Sequence, residues 1–205
     1  MATTSAPRGF KPAGNYANAY STGGFRKYKI ASGDAYAIGN GDPVVFQTTG
    51  SSRGYIQRFN TTLTATTVTS SGTFLGVLIG CEYTDPNSGQ KTFNHYYPGS
   101  ITASDIYGLV VDDPDAIFSI QANGAVAQTA LGCNFSIIQT AVTNTLTKNS
   151  GLQIKYDSNA TTTTLPVRLV DFDTKPTSSI GDTYTDLLVR FNNHFHRQLS
   201  GVAAS

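Results

Sequence analysis

The stretch Tyr107–Gln121, YGLVVDDPDAIFSIQ, constrains the fold more than any other part of the chain. Two apolar runs, Tyr107–Val111 and Ala116–Gln121, flank Asp112-Asp113-Pro114-Asp115. Val, Ile, Phe and Tyr favour strands, because branched and aromatic side chains pack well on a pleated surface. Pro114 has a fixed φ and no N–H to give to a ladder. It also pushes Asp113 toward extended backbone, and aspartate side chains bond nearby backbone amides in turns. The pattern predicts a strand–turn–strand corner at the middle of the chain. Both arms are too apolar to face water on both sides, so the remaining residues must pack around them.

Those residues read as further short strands separated by turns. Lys27–Ala31, Val44–Phe46, Arg53–Phe59, Thr73–Tyr83, Lys91–Tyr97, Asn134–Gln139, Leu152–Tyr156 and Leu165–Val170 have strand composition, with Gly, Pro, Asn and Asp between them. Thr61–Ser71 suits an edge strand or an exposed loop. Gly76 and Gly80, inside the most hydrophobic stretch, suggest a bulge, a bend or a close approach of another backbone. Asp186–Phe191 places Leu187, Val189 and Phe191 on one strand face. The same segment, with Leu188, Phe195 and Leu199, also fits a helix, and the strand is preferred. The expected fold is all-β, a compact barrel- or sandwich-like domain of many short strands with little helix.

The expected organisation is an extended N-terminal arm at residues 1–25, a β-rich domain at 26–199 and a disordered tail at 200–205. Pro7, Gly9, Pro12, Gly14, Gly23 and Gly24 interrupt any period in the arm, yet it carries Phe10, Tyr16, Tyr20 and Phe25. Such a segment either wraps its own domain or docks on a neighbouring protein. Charge bears on the choice. Residues 1–33 hold Arg8, Lys11, Arg26, Lys27 and Lys29 and no acid; the remainder hold nine bases and thirteen acids. The head of the chain is therefore attracted to its own body or to another copy. The expectation adopted is docking, on a sister subunit or a shell. Phe10, Tyr16, Tyr20 and Phe25 are the candidate anchors, and Arg8 and Lys11 guide approach.

No catalytic constellation emerges. On a strand, His194 and His196 would share a face, but they lack a third metal ligand nearby in sequence. Asp112, Asp113 and Asp115 form the densest carboxylate cluster, and a capped turn explains them better than a calcium loop does. Asp171 and Asp173 flank Phe172 without a second partner for acid–base work. The glycines of residues 32–43 lack the spacing of a phosphate loop. Cys81 and Cys133 are expected as buried free thiols. A net charge of +1 argues against general nucleic-acid binding. No run approaches the length of a membrane span, and no signal peptide is visible. No cofactor and no membrane partner are expected, and synthesis is expected in the cytoplasm. The low charged share of 13% and the single glutamate, Glu82, favour a structural or binding role over an enzyme.

Three stretches carry a resemblance: SGDAYAIGNGDPVVF (Ser32–Phe46), GTFLGVLIGCEYTDPNSGQKTFNHYYPGS (Gly72–Ser100) and the central YGLVVDDPDAIFSIQ. With the ending TDLLVRFNNH (Thr185–His194), they resemble the head decoration, or capsid cement, proteins of tailed bacteriophages. The resemblance covers most of residues 30–195. It implies a non-enzymatic virion protein on the outside of an icosahedral head, bound to the major capsid protein and stabilising the shell. It also implies self-association, with a homotrimer favoured. The alternative is a tail- or fibre-associated protein binding host surface carbohydrate, with Asn94, Tyr96 and Tyr97 as a sugar platform.

Overall fold

The structure, a computed structural model, describes residues 4–15, 24–48, 51–59, 67–68, 73–139 and 146–197. Its strands are β1 (Lys11–Asn15), β2 (Arg26–Lys29), β3 (Pro43–Phe46), β4 (Ile56–Arg58), β5 (Thr67–Val68), β6 (Gly76–Thr84) and β7 (Lys91–Asn94), followed by β8 (Tyr107–Val111), β9 (Ala116–Gln121), β10 (Asn134–Phe135), β11 (Ile137–Gln139), β12 (Leu152–Ile154), β13 (Val167–Phe172) and β14 (Asp186–Phe191). Among the described residues, helix is confined to two 3₁₀ turns, Gln128–Ala130 and Phe195–Arg197. The chain is all-β and sandwich-like.

The strands form three antiparallel sheets. One runs β1-β9-β14-β13-β10, a second β12-β11-β5, and the third β2-β8-β6-β3-β4 with β7 beside β6. The third sheet curls until a single parallel bridge, Ile30 with Ile56, links its two ends. Among the described residues no ladder completes that contact, so the sheet is not a closed barrel. Inside the curl lie Ile30, Ile38, Val44, Ile56, Leu78, Cys81, Tyr97 and Val110. The larger core joins the five- and three-stranded sheets through Phe10, Phe118, Ile120, Phe135, Ile137, Ile154, Leu187, Val189 and Phe191. Val77 and Val111, at one end of the curled sheet, belong to this larger core.

The central corner forms as the sequence predicts, and its two arms do not pair with each other. β8 stays in the curled sheet and β9 enters the five-stranded one. Asp113 makes the turn: its Oδ1 accepts the Asp115 amide at 2.8 Å and its carbonyl accepts the Ala116 amide at 3.1 Å. Gly76 is a close approach. A Cβ there would sit 2.1 Å from the Val111 carbonyl oxygen. Gly80 follows a bulge, marked by a register shift between Leu78 and Gly80. β14 alternates with period two, with Leu187, Val189 and Phe191 buried, and the helical alternative falls away.

Three expectations need correction. The N-terminal segment is not a free arm where it is described. Residues Lys11–Asn15 form a strand antiparallel to β9, with Pro12 opposite Phe118 and a bulge before Gly14. Edge strands tolerate proline and glycine because one row of their backbone groups faces no partner strand. Phe10 is fully buried, in the larger core. Second, Asn134–Gln139 is two strands, not one: β10 pairs with β13, and β11 pairs with β12 and β5. Third, Cys81 and Cys133 are both free thiols, but Cys133 is only half-buried, at the margin of the larger core. Burial pushes the Cys81 thiol up to about 12. Of Thr61–Ser71, expected as an edge strand or an exposed loop, only β5 is described, on the edge of the small sheet; Tyr16, Tyr20 and residues 200–205 lie outside the described residues.

Candidate docking face

The outer face of the curled sheet is built by strand register. Residues directly opposite in antiparallel strands project from the same side. Lys29 is opposite Tyr107, Tyr107 opposite Glu82, and Glu82 opposite Phe93. These four residues form one row across β2, β8, β6 and β7, spanning three strand spacings or about 14 Å. The next row holds Lys27 opposite Leu109, which in turn faces Gly80. Leu109 Cδ1 lies 3.5 Å from where a Gly80 Cβ would be, so the missing side chain leaves room for the leucine.

Apolar groups on this face lie outside both cores. Tyr107 and Leu109 are half-buried. Phe93 is 69% exposed and Phe25, just before β2, is 48% exposed. Glu82 sits among them with only 8% exposure, held by Lys27 at 2.9 Å and by Lys91 at 3.9 Å. Lys91 also pairs with Asp105 at 3.1 Å. The Thr84 hydroxyl and amide donate to Asp105, which holds its carboxyl down at about 2. The result is an aromatic and aliphatic surface carrying Lys27, Lys29 and Lys91 against Glu82 and Asp105. Phe93 was legible only as one residue of a returning hairpin strand. Its exposure follows from β7 being an edge strand, which the sequence pattern does not specify.

The six anchor and guide residues expected from the sequence separate into three groups. Phe10, Arg8 and Lys11 engage the chain's own body. The Phe10 ring lies 5.9 Å from Phe118 and 5.0 Å from Phe191. Arg8 pairs with Asp186 at 3.0 Å. Lys11 donates to Asn40 and Asn149, and burial lowers its pKa. Burial of Phe10 fixes the segment on its own domain, while Arg8 and Lys11 stay partly exposed. Tyr16 and Tyr20 are not described. Phe25 is exposed beside the outer face of the curled sheet.

The other candidates resolve into structural contacts. Asp112, 7% exposed, is a hub. It accepts from Tyr28 Oη at 2.5 Å, lies 3.2 Å from His196 Nε2 and pairs with Arg26 at 3.3 Å. Burial and this bond push the Tyr28 hydroxyl up to about 12. Asp115 pairs with Arg197. The three corner carboxylates thus have separate partners. The His194 and His196 rings lie 5.5 Å apart. Burial, and then the neighbouring His196, lower the His194 pKa to about 4. Among the described residues no group of three His, Cys, Asp or Glu side chains is placed to hold a metal. Asp173 accepts from Ser119 Oγ at 2.5 Å and pairs with Lys175, while Asp171 caps the Phe172 amide. Of the residues named for the alternative sugar platform, Tyr97 is fully buried and Asn94 donates to the Tyr83 hydroxyl.

Comparison of the chain with protein-family models, with curated proteins and with solved structures returns no match. Among the described residues no helix is long and apolar enough to cross a membrane.

Proposed function

We propose that this chain is a non-enzymatic structural protein of a phage particle, binding the outside of an icosahedral head and stabilising the shell of the major capsid protein. The observation that carries the reading is the open sheet face with Phe93 and Phe25 exposed about Tyr107, Leu109 and three lysines. Exposed aromatics ringed by polar groups are the usual anchors of protein interfaces, and the lysines favour an acidic partner surface and fast encounter. The sequence resemblance supplies the identity of the partner. The histidines and carboxylates singled out from the sequence are held in internal contacts, which favours a binding role. Self-association, as a homotrimer, belongs to the same proposal.

The test is co-sedimentation with shells assembled from the major capsid protein encoded with this chain, using wild type and Phe93→Ser. Wild type should bind saturably, and Phe93→Ser should weaken binding tenfold or more. Absence of wild-type binding would sink the capsid reading. Unchanged affinity of the variant would remove this face from it. Light scattering on the purified chain reports the oligomeric state.

A further inference from the structure

We infer that the protein also carries a binding site for a neutral saccharide, in a cleft on the five-stranded side, separate from the docking face. The cleft has a volume of about 360 Å³ and is lined by Asn123, Gly124, Tyr156, Gly181, Thr183 and Tyr184 among others. That volume lies at the low end for small-molecule sites. Three chain segments meet there: the stretch after β9, the end of β12 and the β13–β14 connection.

The side chains fit a sugar better than other small ligands. Among the described residues no charged side chain lines the cleft, so an anion such as a phosphate ester would meet no counter-charge there, and a cation no carboxylate. Sugars present neutral hydroxyls on their rims and C–H groups on their faces. A tyrosine ring can take the C–H face while its hydroxyl reaches water or ligand. Two are present, Tyr156 at 44% exposure and Tyr184 half-buried. The Asn123 Oδ1 accepts the Tyr156 amide at 3.0 Å. That bond commits the oxygen inward and leaves the amide NH₂ as a donor for hydroxyls. Thr183 adds an exposed hydroxyl.

The cleft is also preorganised. The Tyr156 ring lies over Gly124 so closely that a Cβ there would be 2.5 Å from its Cδ1 and Cγ atoms. Glycine at 124 therefore sets the ring's position. The Asn123 amide donates to the Ile154 carbonyl at 2.9 Å, and the Gly181 amide donates to the Val126 carbonyl at 3.1 Å, tying the segments together. The Thr185 hydroxyl accepts the Val126 amide at 3.1 Å and donates to the Asp182 carbonyl at 2.9 Å. Walls fixed before binding lose little freedom when a ligand arrives.

The experiment is saturation-transfer NMR on the full chain with glucose, galactose, mannose and N-acetylglucosamine at millimolar concentration, with inorganic phosphate as the anionic control, followed by an array of neutral oligosaccharides. At least one neutral sugar should show transfer, and phosphate none. Tyr184→Ala and Gly124→Ala should each cut binding at least tenfold; the first keeps the test informative should the second destabilise the fold. Silence from every neutral sugar overturns the inference, as does wild-type binding by Tyr184→Ala with an unchanged melting temperature. Binding of phosphate alone would also overturn it.

Discussion

The central corner and the N-terminal segment both bridge sheets, yet they do so by different means. The corner carries two unbroken apolar runs, so hydrophobic pattern alone dictates two strands and a turn. Residues 4–15 have no such pattern. They are held by one buried ring, by backbone bonds, and by glycines that let chains meet. The Phe10 amide donates to the Gly41 carbonyl at 2.9 Å, and a Cβ on Gly41 would sit 2.9 Å from the carbonyl oxygens of both Arg8 and Phe10. Gly9 and Gly41 take φ of +65° and +91°, in the region glycine adopts without strain. A segment can thus belong to a core through fit rather than through periodicity.

The largest effect expected from breaking this comparison is at Phe10. If the segment were a tail, Phe10→Ala would be silent. Buried among Phe118, Phe191 and their neighbours, it should instead lose about 3–5 kcal/mol in denaturant unfolding. Deletion of residues 2–24 should abolish cooperative folding, since it removes β1 as well as the ring.

Next is Gly76→Val, on the corner's side. Its Cβ would collide with the Val111 backbone 2.1 Å away, which no rotamer change relieves. A loss of about 1–3 kcal/mol is expected, and more if β8 shifts. An unchanged melting temperature would show that the sheet opens there at little cost.

Per pH unit, a smaller effect comes from the residue packed under the corner. His194 is bridged to Phe74 and faces His196, Asp112 and Asp113. Its folded pKa of about 4 lies below the ordinary 6.5. Between those values the unfolded chain binds the proton and the folded chain does not, so stability is full above pH 6.5 and falls as pH drops toward 4. The slope is at most about 1.4 kcal/mol per pH unit. His194→Gln should flatten it in urea titrations run from pH 4 to 7; an unchanged slope would assign acid sensitivity to other groups.

What was legible follows the same division. Strand positions from β6 to β9 and at β13 and β14 were readable, because alternation and apolar runs report burial directly. So were the turn at Asp113-Pro114 and the demands on Gly76 and Gly80. Sheet membership was not: nothing in Asn134–Gln139 says that Ser136 separates strands of two sheets. Of the candidate site, Phe25 is legible as an anchor candidate in the sequence, whereas Phe93 is not. Aromatic content alone does not separate a core ring such as Phe10 from a surface ring such as Phe25, since that depends on which strand edge each segment meets.

Phe10 and Phe25 make that distinction measurable at its smallest end. Both are phenylalanines in a stretch without period, both close to basic residues. Phe25 is 48% exposed and belongs to neither core. Replacing it by serine removes apolar surface already half in water, and surface changes away from caps and turns usually stay within about 0.5 kcal/mol. Phe25→Ser should therefore leave unfolding free energy nearly untouched, in contrast to Phe10→Ala. Its cost should fall on association instead, because a ring half in water gains most when a partner completes its burial. If the proposed function holds, binding to capsid shells should weaken while the melting temperature stays unchanged. A variant that unfolds early would show that Phe25 packs like Phe10, and one that is neutral in both assays would confine the docking face to the Phe93 side.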